Sequence, residues 1–252
     1  MTLNVYKLTI LLGFSCFSTL VVAEEIKVTP WVKVKAETDH VKYICSTLSL
    51  KCGNHVDVWK KKASTDDKLY LTDETHQLFE LSKVNNQYKL INSWRFDHYR
   101  HSSQHSPDDE MADYGTEIFP AFYPLNRKNF SIALVKKWGT SYAGGGRGEQ
   151  IADFLMLEPN GKYKVALNDV GFYSYEMIRA CFSERDYKIS PHCHDESGST
   201  LSIQFKDVGK PYYQWTLNYT DFTWESFKPE KAKKIEKYRE VVMPFDKRLN
   251  EF

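Results

Sequence analysis

The sequence predicts a mainly β protein, an antiparallel meander closing into a sandwich, barrel or propeller-like domain, with one C-terminal amphipathic helix at about 229–243. Three observations carry this. Side chains alternate with period two over several stretches, turn-forming residues separate those stretches, and the pattern changes to helical spacing only near the C-terminus.

The strands come first. Over 130–138 the bulky Phe130, Ile132, Leu134 and Trp138 fall on one face, and Ala133 and Val135 leave the other only partly polar. Tyr163, Val165 and Leu167 alternate with Lys162, Lys164 and Ala166, and Leu201, Ile203 and Phe205 alternate with Ser202, Gln204 and Lys206. Three connections carry turn chemistry: Asn85-Asn86, Pro159-Asn160-Gly161, and Gly209 to Pro211. They imply hairpins in succession. The hairpins beginning at Leu78 and Asp153 look alike, which fits either a repeated unit or the general resemblance of amphipathic hairpins.

The helix rests on Pro229 as a start, a stripe of Ala232, Ile235, Tyr238 and Val242, and Pro244 as a stop. Residues 98–114 are rich in Ser, Asp and His and read as a long exposed loop.

Residues 1–23 read as a secretory signal: Lys7, an apolar run from Leu8 to Val22, then Ala23 before two glutamates, with cleavage expected after Ala23. The run spans about 15 residues and is broken by Ser15 and Ser18, whereas a spanning helix needs roughly 20. The expectation is a periplasmic or secreted protein with no stable membrane insertion after signal cleavage. Residues 24–252 are expected to form one β-rich domain. Four cysteines remain in that part, and short loops close at least entropic cost, so the expected bridges are Cys45–Cys52 and Cys181–Cys193. The gaps are too wide for the CxxC pairs of a four-cysteine zinc site. A net charge of +1 provides no broad field to attract nucleic acid.

His98, His101 and His105 lie in the polar loop just ahead of Asp108, Asp109 and Glu110, and His192 and His194 flank Cys193. Neutral imidazoles beside carboxylates are the donor set for zinc, provided that they converge, and spacing alone does not force that. The glycine-rich stretch from Gly144 to Glu149 lacks a phosphate-loop pattern. Gly145, Arg147 and Glu149 are expected to form a turn, a bulge or a surface that a ligand approaches closely. Tyr123 and Tyr212, next to prolines, are expected to be partly exposed anchors of a binding surface.

No nucleophile elbow, zinc-protease helix or calcium loop occurs, and no cofactor is implied. The leading expectation is an exported non-enzymatic binding protein of the cell envelope or extracellular space, with a protein or cell-envelope glycan as partner. An inhibitor or immunity-type protein neutralising a partner is one form of it. The alternative is a metal-dependent or carboxylate-based hydrolase using the loop histidines, so catalysis is left undecided.

Overall fold

A computed structural model describes residues 25–85, 87–102, 110–189 and 192–246. The expected signal segment and His105 lie outside these residues. Among the described residues, twelve strands form one open antiparallel sheet in the order β12-β11-β10-β9-β8-β7-β6-β1-β2-β3-β4-β5. In chain order they are β1 (Thr29–Lys33), β2 (Val56–Lys61), β3 (Lys68–Asp73), β4 (Gln77–Val84), β5 (Gln87–Arg95), β6 (Ala112–Pro124), β7 (Phe130–Tyr142), β8 (Gly145–Leu157), β9 (Tyr163–Arg179), β10 (His194–Lys206), β11 (Gln214–Trp224) and β12 (Lys234–Val242). Among the described residues, the α-helices α1 (Thr38–Thr47) and α2 (Glu184–Ile189) interrupt them.

The three expected hairpins are present: Asn85 turns β4 into β5, Pro159–Gly161 joins β8 to β9, and Gly209 lies between β10 and β11. Asn85 and Asn160 adopt the left-handed conformation at φ 51° and 60°, which Asn tolerates better than most residues. Strand β1 joins the two halves, pairing with β6 through Thr29 and Pro30 and with β2 through Trp31 to Lys33.

Both faces of the central strands are buried. Ala133, Val135, Ala152 and Phe154 on one face meet Trp215, Leu217 and Tyr219 of β11, with the Phe154 and Trp215 rings 5.0 Å apart. Ile132, Leu134 and Leu155 on the other face meet Trp31, Tyr70, Leu78 and Trp94. The long sheet therefore folds over its own middle from both ends. A third cluster seats Ile44 of α1 on Val58, Leu69, Leu71 and Phe79.

Both expected disulfides are formed, Cys45–Cys52 tying α1 to the following turn and Cys181–Cys193 closing the loop around α2.

Several expectations need correction. Residues 229–243 do not form the C-terminal helix; a single 3-10 turn, Glu230–Ala232, precedes β12. The reason is pairing: β12 sits against β11 from Trp215↔Val242 to Thr223↔Lys234, and that ladder satisfies backbone groups on an otherwise open edge. Within 98–114 the chain is not uniformly exposed: the His101 side chain is only 7% exposed, Met111 is buried, and β6 begins at Ala112. In β9 the buried face does not follow Tyr163, Val165 and Leu167 throughout. Val165 is exposed and Ala166 buried, because β8 and β9 shift register near Phe154.

Candidate functional site

The predicted residues do not gather in one place. His98 is exposed, with Nε2 3.7 Å from Asp97 Oδ2. His192 stacks on Trp224, with ring centroids 3.5 Å apart, and its Nδ1 is 3.8 Å from Glu196. His194 opposes Arg179 in the β9–β10 ladder. Among the described residues, no three His, Cys, Asp or Glu side chains converge as a metal-binding group. Tyr123 lies in the core, 4% exposed and 4.8 Å from the Phe154 ring, so it does not face a partner. Its position beside Pro124 suggested exposure, but Phe154 of β8 and Trp215 of β11 pack on its ring. Tyr212 is half-buried against Phe245 at 4.6 Å. Gly145, Arg147 and Glu149 share one face of β8, opposite Ile178, Glu176 and Ser174 of β9.

His101 has a partner that sequence reading missed. Asp153 is fully buried in β8, and its Oδ2 accepts the Tyr99 hydroxyl at 2.8 Å while Oδ1 accepts the Asp169 backbone N–H at 2.8 Å. His101 Nδ1 lies 2.8 Å from the same Oδ2, close enough for an ion pair but outside the alignment of a ring N–H hydrogen bond. Its Nε2 is buried without a hydrogen-bond partner. Burial, then the Asp153 charge, pushes the Tyr99 phenol far above its usual range. The β8–β9 ladder breaks at Asp153, and Asp169 adopts φ 53°. This bulge turns the carboxylate toward the segment after β5. Ser102 Oγ donates to Asp169 Oδ2 at 2.6 Å, and Asn168 Nδ2 donates to Ser102 Oγ at 3.1 Å. Every hydroxyl described here donates to a carboxylate other than through His101, so the cluster anchors the segment 96–102 to the bulge.

Beyond the buried stretch of β7 and β8, a different arrangement runs across β7–β12. Directly opposed residues form a row across six strands: Gly139, Gly148, Tyr175, Gly198, Phe222 and Ile235. Aromatic rings cover all three glycines. A β-carbon on Gly139 would lie 2.7 Å from Tyr114 Cε2, one on Gly148 3.4 Å from Tyr175 Cδ1, and one on Gly198 2.8 Å from Phe222 Cε1. Tyr114 reaches this row because the β6–β7 register shifts between Asp113 and Gly115, and Gly115 takes φ +88°. Two of the rings are open to solvent, Tyr114 at 64% and Tyr175 at 37% exposure, and Phe222 is half-buried. Lys233 Nζ lies 3.8 Å from the Phe222 centroid.

Two residues further along each strand, on the same face, runs a polar row: Lys137, Gln150, Tyr173, Thr200, Thr220 and Lys237. Lys137 is paired with Glu117 at 2.6 Å. An aromatic row beside a hydroxyl and amide row can stack on the apolar face of a ligand while hydrogen-bonding its rim.

The fold and this surface define a disulfide-braced, open antiparallel β protein with an exposed aromatic face. No protein-family model matches the chain, and no curated protein or solved structure matches it.

Proposed function

We propose that this is an exported, non-enzymatic binding protein that recognises a polysaccharide of the cell envelope or extracellular space on the exposed aromatic row across β7–β12. The observation that carries it is the row of Tyr114, Tyr175 and Phe222 laid over Gly139, Gly148 and Gly198. Glycines keep the backbone low beneath the rings, which leaves a broad face for close approach. A pyranose ring has an apolar C–H face and a rim of hydroxyls. The aromatic row suits the first, and Gln150, Thr200 and Thr220 suit the second.

Export is supported by the apolar leader and by two disulfides, which persist in oxidising compartments. The sheet folded over its own middle supports a sandwich-like arrangement of layers. Neutralisation of a partner protein would use the same aromatic face, since Tyr and Trp anchor protein interfaces as well.

Co-sedimentation of the purified mature protein with peptidoglycan, chitin and cellulose tests the proposal. Retention on at least one polymer is expected, and the double variant Tyr114→Ala, Tyr175→Ala should lose most of it while keeping the wild-type circular dichroism spectrum. Absence of retention on every polymer, or equal retention by the variant, overturns glycan recognition by this face.

A further inference from the structure

A second site lies in the other half of the molecule, where β3, β4 and β5 face the β6–β7 turn and the end of β8. A cavity of about 380 Å³ opens there. Its polar floor is closed on itself. Lys68 Nζ lies 2.6 Å from Glu80 Oε1, and Asn92 Nδ2 donates to Glu80 Oε2 at 2.7 Å. The Glu80 side chain is 11% exposed, so this matched carboxylate offers an incoming ligand little.

The charged groups with donor capacity to spare are lysines. Lys61, which lines the cavity, has its Nζ 3.3 Å from Asp66 Oδ2, one of its three possible donor contacts, and 5.8 Å and 5.7 Å from the Tyr70 and Phe122 ring centroids. Lys128 stands at the rim. The other lining carboxylate, Glu158, is bonded to Lys164 at 2.8 Å. Lys61 is matched by Asp66, Lys68 by Glu80 and Glu158 by Lys164, so the surplus charge around the cavity is one positive charge, that of Lys128. The walls are apolar: Tyr70, Phe122, Phe130 and Leu157.

We infer that this cavity binds a small aromatic carboxylate, its ring laid against the Phe122, Phe130 and Leu157 wall and its carboxylate on Lys61. Size permits it, since benzene fills an engineered cavity of about 150 Å³ and this one leaves room for the ring, the carboxylate and water. A neutral ring would desolvate Lys61 without giving it a new partner, and a cation would meet Lys61 and Lys68. A charge-assisted contact from an ammonium already poised over rings is the stronger match. The site is built by β3–β5 with the ends of β6–β8, apart from the glycine and aromatic row, so either can fail without the other.

Two sources carry this chemistry, a free aromatic acid and the C-terminal aromatic residue of a peptide. Calorimetric titration of the purified mature protein with phenylacetate, N-acetylglycylphenylalanine and uncharged phenylacetamide separates them. Trp94 is a parallel fluorescence reporter, because its indole N–H donates to the Glu158 carbonyl at 2.8 Å on the cavity wall. Phenylacetate is expected to bind, with phenylacetamide weaker by about ten-fold. Lys61→Gln should weaken the acid by about ten-fold and leave the amide unchanged, while Lys61→Arg retains the acid. Tighter binding of the peptide assigns the peptide source. Phe130→Ala, at the rim and 39% exposed, checks the ring contact with a change that does not enter the core. The inference is overturned by absence of binding of both acids, by equal affinity for acid and amide, or by wild-type affinity in both folded Lys61→Gln and Phe130→Ala.

Discussion

The ring of Tyr114 lies in the space that a β-carbon on Gly139 would occupy, its Cε2 2.7 Å from that point. The contact depends on a local device: an extra residue in β6, Gly115 at φ +88°, and the Gly115 N–H donating to Asp113 Oδ1 at 2.7 Å. A bulge re-aims one side chain onto a neighbouring strand. Here the side chain becomes the first ring of the exposed row.

Two glycine substitutions should separate surface from scaffold. Gly139→Ala meets chiefly the far end of a tyrosine, which can rotate away, so the variant is expected to fold and to lose several-fold in glycan retention. Gly145→Ala would place its β-carbon 2.0 Å from the Met177 carbonyl oxygen, a backbone atom that cannot yield without moving β9. A stability loss of about 1–3 kcal/mol is expected there, measured by urea denaturation. Equal losses of stability in both variants would contradict the distinction.

The bridges close loops of separation 7 and 12 residues. On the chain-entropy model each contributes about 2–3 kcal/mol. Replacing Cys181 and Cys193 together by Ser should lower the melting temperature and free the loop around α2. Peptide mapping of the unreduced protein should return Cys45–Cys52 and Cys181–Cys193. A crossed pairing between the two regions would refute the bridges.

Asp153→Ala removes one carboxylate and strands three groups, the Tyr99 hydroxyl, the Asp169 N–H and His101. The Asp169 and Tyr99 partners are part-buried, and such losses cost about 1–3 kcal/mol for each orphaned buried group. Asp153→Asn keeps an acceptor and should cost less. Hydrogen exchange should show faster opening of 96–102 in the alanine variant, with the β10–β12 amides little changed. Unaltered exchange at 96–102 would count against the anchoring role.

Hairpins were legible where residues dictate backbone geometry: Asn85, Asn160 and Gly209 all occupy positive φ at the turns the sequence marks. Residues 234–242 were not, because KIEKYREVV combines good helix formers with an alternation that also suits a strand, and an available edge on β11 decides between them. Asp153 was hidden inside an apolar run, with only the polar pair Asn168-Asp169 hinting at an interruption of the facing strand. The alignment of Gly139, Gly148 and Gly198 depends on register across β7, β8, β9 and β10, which a single sequence does not display.

The bulge under Tyr114 should respond to acid. A hydrogen bond from Lys136 holds the Asp113 carboxyl below its ordinary range, against a smaller opposing effect of burial, and the Gly115 N–H adds to it. A depressed folded value means stability that is fully present above the unfolded carboxylate pKa of about 3.9 and is lost as pH falls through the lower folded value. Lys136→Met removes the leading cause, so carbon-detected NMR should show the Asp113 midpoint rising toward the ordinary carboxylate range. Glycan retention in the wild type should hold at mildly acidic pH and weaken only below about pH 4, as Asp113 protonates and releases Gly115. An Asp113 midpoint at the unperturbed value in the wild type would remove the link between this carboxylate and the placement of the Tyr114 ring.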